Sequence, residues 1–151
     1  MYETLRIYPV IGNITREVMD DCVLPDGLRL DKGVRVHIPA YSMHRDPDYF
    51  PEPEEYRPER FLPENKDDIK PYTYFPYGEG PRLCIGKRFS KMQALAGLVT
   101  FLKKYRVELA DGMPETVTLE SRCIIIQTRE QGIMLKAIKR DGWEQRVFVR
   151  D

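Results

Sequence analysis

The chain has 151 residues, of which 24 are basic and 24 acidic, so its formal net charge at pH 7 is zero. A nucleic-acid-binding protein would carry a basic excess, and the balance of charges argues against that class of partner. The length allows one domain with a core, and the three cysteines, an odd number at wide spacing, fit free thiols better than a disulfide framework.

The first predicted element is a short helix over residues 2–8, which Pro9 ends. Glu3 and Arg6 lie three residues apart on one face of this helix. Taken by itself, this is an ordinary exposed ion pair that contributes well under ~1 kcal/mol. The helix pattern is already under way at Met1, with no capping residue before it. We therefore expect this chain to be the C-terminal piece of a longer protein.

Two short strands and a hairpin follow the helix. Residues 14–18 alternate between apolar and polar side chains as a strand does, and residues 34–39 alternate again until a proline ends the pattern. Between them, residues 22–30 predict a hairpin that turns at Pro25-Asp26-Gly27. Together these segments predict a small β region.

A short helix is predicted over residues 40–46, and a coil rich in proline and charge continues from Asp46 to Pro63. A structureless stretch of this length in a compact domain needs a functional reason. His37 and His44 are candidates for acid–base or zinc chemistry. Neither lies at the sequence distance from a cysteine that is typical of paired zinc ligands. For each, a histidine bonded to nearby backbone is the simpler interpretation.

The most informative stretch runs from Phe75 to Gly86, Phe-Pro-Tyr-Gly-Glu-Gly-Pro-Arg-Leu-Cys-Ile-Gly. Its glycines permit positive φ and close approach to a partner, and its prolines prevent regular structure before Cys84. Where such a loop enters a helix, the backbone amides and the helix dipole favour a thiolate, and Arg82 adds a positive charge. The arrangement suits a soft-metal ligand or a nucleophile; a buried structural cysteine is the alternative.

Apolar residues recur at steps of three and four from Cys84 to Tyr105, which predicts one long helix with an apolar stripe. The stripe consists of Ile85, Phe89, Met92, Ala96, Val99 and Leu102, widened by Leu95 and Leu98. After the helix, alternating segments predict short strands at residues 106–109, 117–119, 124–127 and 133–138.

The spacing Phe75-x-x-Gly78-x-Gly80-x-Arg82-x-Cys84-x-Gly86 resembles the haem-binding signature of cytochromes P450. Six specified positions at fixed spacing would occur by chance in a chain of this length on the order of one time in a million. Glu3-x-x-Arg6 is similar to the ExxR element of that family, and Pro58-Glu59-Arg60-Phe61 to its Pro-Glu-Arg-Phe-like segment. The residues of these motifs look most like those of the microsomal, xenobiotic-oxidising members of the family in animals.

The resemblance implies an α+β fold in which residues 1–140 form the C-terminal portion of a single cytochrome P450 domain. The implied elements are the end of helix K, small β-sheets, the meander, the haem-binding loop, the long helix L and a terminal β hairpin. Residues 141–151 overrun the usual ending of the family, and we expect them to form a C-terminal extension of unknown role.

Haem b is the implied cofactor, with Cys84 as the axial ligand of its iron. The other implied haem-binding residues are Phe75, Gly78, Arg82, Ile85, Gly86 and Arg16. Of these, Arg82 and Arg16 would bind the propionates, although a solvated strand arginine is the alternative for Arg16. Glu3, Arg6 and Arg60 are implied to form a buried network under the haem loop, because arginine binds a carboxylate bidentately and never deprotonates.

Two further sets of residues are implied at the edges of the site. Substrate contacts are implied for Val10, Ile11, Cys123 and Ile124, although Cys123 also fits a small core residue. Docking of an acidic reductase is implied for Lys87, Arg88 and Lys91, and a solvated cationic face is the alternative there.

The implied reaction inserts one oxygen atom of O₂ into a hydrophobic small molecule. Electrons would come from NADPH through NADPH–cytochrome P450 reductase, with or without cytochrome b5, at the cytosolic face of the endoplasmic reticulum membrane. The oxygen-activating acid–alcohol pair and the membrane anchor of the family precede ExxR and are not in this sequence. We therefore expect this polypeptide alone not to perform efficient monooxygenation. A truncated non-catalytic haem-binding remnant, or a P450-type isomerase or dehydratase, are the alternatives.

Overall fold

The computed structural model describes residues 1–114, 119, 125 and 132–145. These residues form helices and small antiparallel sheets, which confirms the α+β class. The chain divides into a first unit, residues 1–81 and 121–126, and a second unit, residues 82–120 and 127–151. None of the helices in the described ranges has both the length and the apolar character that crossing a membrane requires.

The first unit begins with helix α1, Tyr2–Ile7, which confirms the predicted helix. The helix ends before Pro9 because a residue that precedes proline avoids helical backbone, and Tyr8 accordingly adopts φ −123° and ψ 68°. Glu3 and Arg6 are buried. The interpretation of this pair as an exposed surface ion pair is therefore wrong.

Four short strands form two antiparallel hairpins, one inside the other. They are β1, Ile14–Glu17, β2, Cys22–Val23, β3, Arg29–Leu30, and β4, Arg35–Ile38. β1 pairs with β4, and β2 pairs with β3. In the inner hairpin Gly27 adopts φ +91°, and the Leu28 amide donates to Asp26 Oδ1 at 3.0 Å. The hairpin predicted at Pro25-Asp26-Gly27 is confirmed.

Helix α2, Ala40–Met43, is a single turn that opens the coil of the first unit. The coil reaches two 3-10 helices, Pro58–Phe61 and Pro63–Asp68, each with proline in its first turn. The buried apolar residues are Ile7, Pro9, Ala40, Phe50 and Phe75, and the buried polar or charged ones are Glu3, Arg6, His44 and Thr73. The centre of the first unit is therefore nearly as polar as it is apolar.

The second unit consists of helix α3, Lys87–Lys104, and an antiparallel pair, β5, Tyr105–Leu109, and β6, Leu135–Lys139. The helix begins at Lys87 and not at Cys84, because Ile85 and Gly86 form a turn before the first helical residue. β5 and β6 confirm two of the predicted strands. The other two predicted strands lie outside the described residues, except for Leu119 and Ile125.

Helix α3 carries apolar side chains around most of its circumference between Phe89 and Leu102, and Ser90, Gln93 and Thr100 lie on the remaining side. Ala94 and Phe101 extend the apolar stripe predicted from sequence. Phe89 and Met92 are each 63% exposed, and Leu95 is 49% exposed. Within the described part of the second unit, no residue is fully buried.

Gly97→Ala is expected to raise the free energy of unfolding of the second unit by about 0.5–1 kcal/mol, because glycine in a helix interior loses more backbone entropy than alanine. Gly97 lies inside α3 with no atom within 4 Å of the position that a Cβ would take. Urea unfolding followed by circular dichroism measures the change.

Gly112→Ala is the matched control in the same unit. Its Cβ position is equally open, but its φ of +79° lies in the left-handed region. An L-residue pays about 1 kcal/mol there, so this variant should be less stable than the unmodified protein. Changes of the same sign in both variants would contradict the assignment of α3 and of this turn.

Candidate functional site

Cys84 lies in the loop that leads into α3, and its thiol is free and exposed. The loop begins with a turn in which the Gly78 amide donates to the Phe75 carbonyl at 2.9 Å, and a short 3-10 helix follows at Gly80–Arg82. Gly78 and Gly80 adopt φ of +76° and +75°, a conformation that L side chains rarely adopt. The two glycines therefore allow the tight turns that place the cysteine at the helix entrance.

The first turn of α3 follows directly after the thiol. The Lys87 amide donates to the Cys84 carbonyl at 3.2 Å, and the Ser90 amide donates to the Gly86 carbonyl at 2.8 Å. The N-terminal amides of a helix point toward its start and carry a partial positive charge. Cys84 therefore lies just before the N-terminus of α3, whose first helical residue is Lys87.

Apolar side chains close to Cys84 in the sequence are exposed. Leu83 is 38% exposed, Phe89 is 63% exposed, and Ile85 is completely exposed. A Cβ added at Gly86 would lie 3.8 Å from Cys84 Sγ, so the glycine leaves open space beside the sulfur. In the described ranges, no cluster of three or more His, Cys, Asp or Glu could hold a metal ion by itself.

A buried ion pair between Glu3 and Arg6 lies at the centre of the first unit. Arg6 Nε donates to Glu3 Oε2 and Arg6 Nη2 donates to Glu3 Oε1, each at 2.8 Å. The Arg6 side chain is 0% exposed and that of Glu3 is 1% exposed. Two parallel charge-assisted bonds between planar groups fix both the distance and the orientation of the pair.

The remaining hydrogen bonds of this pair go to backbone groups far along the chain. Arg6 Nη1 donates to the His44 carbonyl at 2.8 Å, and Nη2 donates to the Glu55 carbonyl at 3.2 Å. The Arg57 amide donates to Glu3 Oε1 at 3.0 Å. Sequence reasoning missed these three partners, because a backbone amide or carbonyl leaves no signal in residue identity.

Arg60, the expected third member of the network, lies beside the pair without a hydrogen bond to it. Its Nε is 3.6 Å from Glu3 Oε1, too far for a hydrogen bond, and its Nη2 donates to the Glu52 carbonyl at 2.9 Å. Burial and the neighbouring charge of Arg6 lower the pKa of Arg60. The structure thus brings Glu3, Arg6 and Arg60 together, with Arg60 as an electrostatic neighbour.

His44 is completely buried and is bonded on two sides. Its carbonyl accepts from Arg6, and its Nε2 accepts from the Phe75 amide at 3.0 Å. Burial, with the charges of Arg6 and Arg45, lowers the pKa of His44 from 6.5 to about 4. The ring is therefore neutral near pH 7. The expected histidine–backbone bond is confirmed, but the partner is 31 residues away.

Arg16 and His37 lie on opposite faces of the outer hairpin. Arg16 is on the half-buried face of β1, and its Nη1 donates to the Thr15 carbonyl at 3.0 Å. His37 is on the exposed face of β4, where its Nδ1 is 3.2 Å from Thr15 Oγ1. His37 therefore pairs with a side chain of the neighbouring strand and not with backbone.

Of the residues predicted to contact substrate, Val10 and Ile11 are described. Val10 is 53% exposed and Ile11 is 46% exposed. Ile11 forms an isolated antiparallel bridge with Ile125. Cys123 and Ile124, which immediately precede this bridge in the sequence, lie outside the described residues.

The cationic residues predicted for reductase docking lie in the first turns of α3. Arg88 is exposed, and Lys87 and Lys91 are half-buried. Arg82, which precedes the thiol, is exposed as well.

Glu3→Gln is expected to lower the free energy of unfolding of the first unit by about 3–5 kcal/mol, because it leaves the buried guanidinium of Arg6 without a counter-charge. The substitution keeps the length and volume of the side chain, so the loss of charge is the main change. Urea unfolding measures the difference.

Arg57→Gln is the matched control for this prediction. It removes an ion pair with Glu52 in which the side chains are 49% and 66% exposed. Exposed pairs contribute little, so the cost should be less than about 1 kcal/mol. If both variants lost the same free energy of unfolding, burial would not increase the contribution of the Glu3–Arg6 pair to stability.

Acidification is expected to destabilise the first unit through His44. The unfolded chain takes up the proton near pH 6.5 and the folded chain only near pH 4. The stabilisation is therefore complete above pH 6.5, declines as the pH falls, and is lost below pH 4. A pKa difference of this size corresponds to about 3 kcal/mol.

Urea unfolding at a series of pH values measures this decline. His44→Gln should remove the corresponding part of the pH dependence, because glutamine does not titrate. His37→Gln changes the exposed histidine and is the matched control. A profile that is the same in all three proteins would exclude His44 as its source.

Comparison with known proteins places the chain in a family. A family model described as Cytochrome P450 matches residues 1–137. Lithocholate 6-beta-hydroxylase of Mesocricetus auratus is 43% identical over 139 residues, which are 92% of this chain and 27% of the relative. Cytochrome P450 3A13 of Mus musculus is 40% identical over 139 residues, again 92% of this chain and 27% of the relative.

A protein of Drosophila melanogaster is similar to this chain to about the same degree. Probable cytochrome P450 6g2 of Drosophila melanogaster is 39% identical over 144 residues, covering 92% of this chain and 28% of that protein. The chain thus spans little more than a quarter of the length of these relatives. The match to the family model covers nearly all of it, from the ExxR helix through the cysteine loop to β6. The chain belongs to the cytochrome P450 family.

Proposed function

We propose that this chain is the haem-thiolate portion of a monooxygenase, in which Cys84 binds the iron of haem b. The observation that carries the proposal is the free, exposed thiol at the entrance of α3, with open space on the Gly86 side of the sulfur. Family membership supports the same assignment. As is general for cysteine-ligated haem in this family, the bound cofactor supplies the oxygen chemistry, since the thiolate donates electron density that favours O–O cleavage.

The residues of the chain bind and orient the cofactor. Cys84 would supply the thiolate that binds the iron. Arg82 and Arg16 are proposed to bind the two propionates through charge-assisted hydrogen bonds, which would fix the tilt of the ring. Gly78 and Gly86 would let the backbone approach the ring closely, and the exposed Ile85 would supply apolar contact. Phe75, expected from the resemblance to contact the haem, is instead buried in the core of the first unit.

The Glu3–Arg6 pair, with Arg60 beside it, is proposed to hold the coil that supports the cysteine loop. Its support is the burial and geometry of the pair, together with its bonds to the carbonyls of His44 and Glu55. Residues 1–140 would be the C-terminal portion of one P450 domain, and residues 141–151 an extension that follows the family match, which ends at residue 137.

The proposed reaction converts R–H, O₂, NADPH and H⁺ into R–OH, H₂O and NADP⁺, so one oxygen atom enters the substrate and the other leaves as water. A hydrophobic small molecule is the proposed substrate, bound near Val10, Ile11, Cys123 and Ile124. One relative is named as a lithocholate 6-beta-hydroxylase, so a bile acid is a reasonable first probe.

The proposed electron donor is NADPH–cytochrome P450 reductase, with cytochrome b5 as an accessory. Lys87, Arg88 and Lys91 cluster in the first turns of α3 and would attract an acidic partner, which should make the association sensitive to salt. The proposed location is the cytosolic face of the endoplasmic reticulum membrane.

Cys84→Ser is expected to abolish the strongly red-shifted Soret band of the carbon monoxide complex of the reduced, haem-reconstituted chain, because serine cannot supply the thiolate. Cys22→Ser is the matched control, since Cys22 is also free and exposed but lies on β2, outside the loop. The absorption difference spectrum measures both.

An unmodified chain that takes up no haem, or a Cys84→Ser variant with an unaltered band, would overturn the assignment. With haem bound, NADPH-dependent hydroxylation of lithocholate in the presence of reductase separates a catalytic role from haem binding alone. This assay is made with a complete enzyme that contains the chain. Absence of hydroxylated product there would contradict the catalytic part of the proposal.

A further inference from the structure

His44 connects the buried ion pair of α1 to the first residue of the cysteine loop. Its carbonyl accepts from Arg6 Nη1 at 2.8 Å, and its Nε2 accepts from the Phe75 amide at 3.0 Å. The Phe75 carbonyl, in turn, accepts from the Gly78 amide at 2.9 Å. Both backbone groups of Phe75 are therefore occupied, one by the first turn of the loop and one by the histidine.

Only one protonation state of His44 supports this arrangement. A backbone amide can only donate, so Nε2 must offer a lone pair, and the single proton of the neutral ring lies on Nδ1. Nδ1 is buried and has no hydrogen-bond partner among the described residues. A buried donor without a partner costs about 1–3 kcal/mol, so the ring is held in this tautomer by the bond to Phe75 and not by Nδ1.

A second proton on the ring would convert Nε2 from an acceptor into a donor that faces another donor. It would also give the ring a positive charge close to two side chains that are already cationic. Arg6 of α1 and Arg45, the next residue in the chain, are both cationic, and both charges lower the pKa of His44. Tyr74 faces the ring from the loop side with centroids 5.3 Å apart, and it is uncharged near neutral pH because burial raises its pKa.

We propose that His44 is a positioning residue that fixes the entrance of the Phe75–Gly86 loop through the Phe75 amide, and that protonation of its ring releases this entrance. The bond itself does not depend on a cofactor. Its consequence for haem rests on the proposed function: release of Phe75 would loosen one end of the loop that carries Cys84 and speed the loss of haem in acid.

Hydrogen exchange of the full chain tests the bond directly. At neutral pH, the Phe75 amide should be protected in the unmodified protein and in His44→Gln, whose side-chain oxygen still accepts. In His44→Phe, which keeps the ring but has no acceptor, its protection factor should fall about tenfold or more, as expected for one lost hydrogen bond. The Tyr8 amide, bonded to the Thr4 carbonyl at 2.7 Å, is the internal reference and should not change.

Acid separates a positioning role from a purely structural one. As the pH falls toward 4, Phe75 should lose protection in the unmodified protein before Tyr8 does, whereas in His44→Gln the two amides should keep their ratio. Loss of both amides together in the unmodified protein, or the same early loss in His44→Gln, would overturn the proposal.

The tautomer gives a test that needs no variant, in case His44→Phe does not fold. ¹⁵N NMR of the histidine ring at neutral pH should show a protonated Nδ1 and an unprotonated Nε2 for His44. The opposite tautomer would overturn the proposal, because Nε2 would then have no lone pair for the Phe75 amide.

The rate of haem loss on acidification provides the last measurement. It should be several-fold faster for the unmodified protein than for His44→Gln, and equal rates would overturn the consequence for haem. If the chain bound no haem at all, the proposed function would fail while the exchange and NMR results on Phe75 would still decide the role of His44.

Discussion

The first unit depends on one buried ion pair. Glu3 and Arg6 are both removed from solvent, and each charge would be very costly there without the other. The two parallel bonds between them satisfy only part of their capacity. Further bonds go to the carbonyls of His44 and Glu55 and come from the amide of Arg57. A long coil with little regular structure is thereby tied to a short helix at defined points, by groups that cannot find other partners in the interior.

The two units differ in the kind of interaction that stabilises them. The first has a small core in which charged and polar side chains are nearly as prominent as apolar ones. The second presents a helix with a broad apolar surface, on which Phe89 and Met92 are each 63% exposed. Cys84 lies at the entrance of that helix, with the exposed side chain of Ile85 beside it in the chain.

Local patterns in the sequence predicted most helices and strands correctly. The fixed spacing of the glycines and Arg82 around Cys84 singled out that cysteine as the candidate ligand. The α1 helix, the turn at Asp26-Gly27 and the strands β5 and β6 each follow from residue preferences over a few positions. What could not be predicted was the set of long-range contacts to backbone. The Phe75 amide that binds His44 and the distance of Arg60 from Glu3 depend on how the coil is placed, and the coil has no periodicity to read. Helix α3 was placed three residues early, because apolar spacing alone does not reveal the turn at Ile85 and Gly86.

The attachments of the coil have a consequence for how this segment can vary. Arg6 holds the carbonyls of His44 and Glu55, and Glu3 holds the amide of Arg57, so residues 44–57 form a closed loop on one ion pair. Every residue has a carbonyl and nearly every residue has an amide, so most side chains inside the loop can be exchanged without loss of these bonds. Adding or removing a single residue, in contrast, would shift one end of the loop relative to the other. Over this stretch the number of residues is therefore more strictly constrained than the identity of the exposed side chains, whereas the buried side chains of His44 and Phe50 are constrained as well.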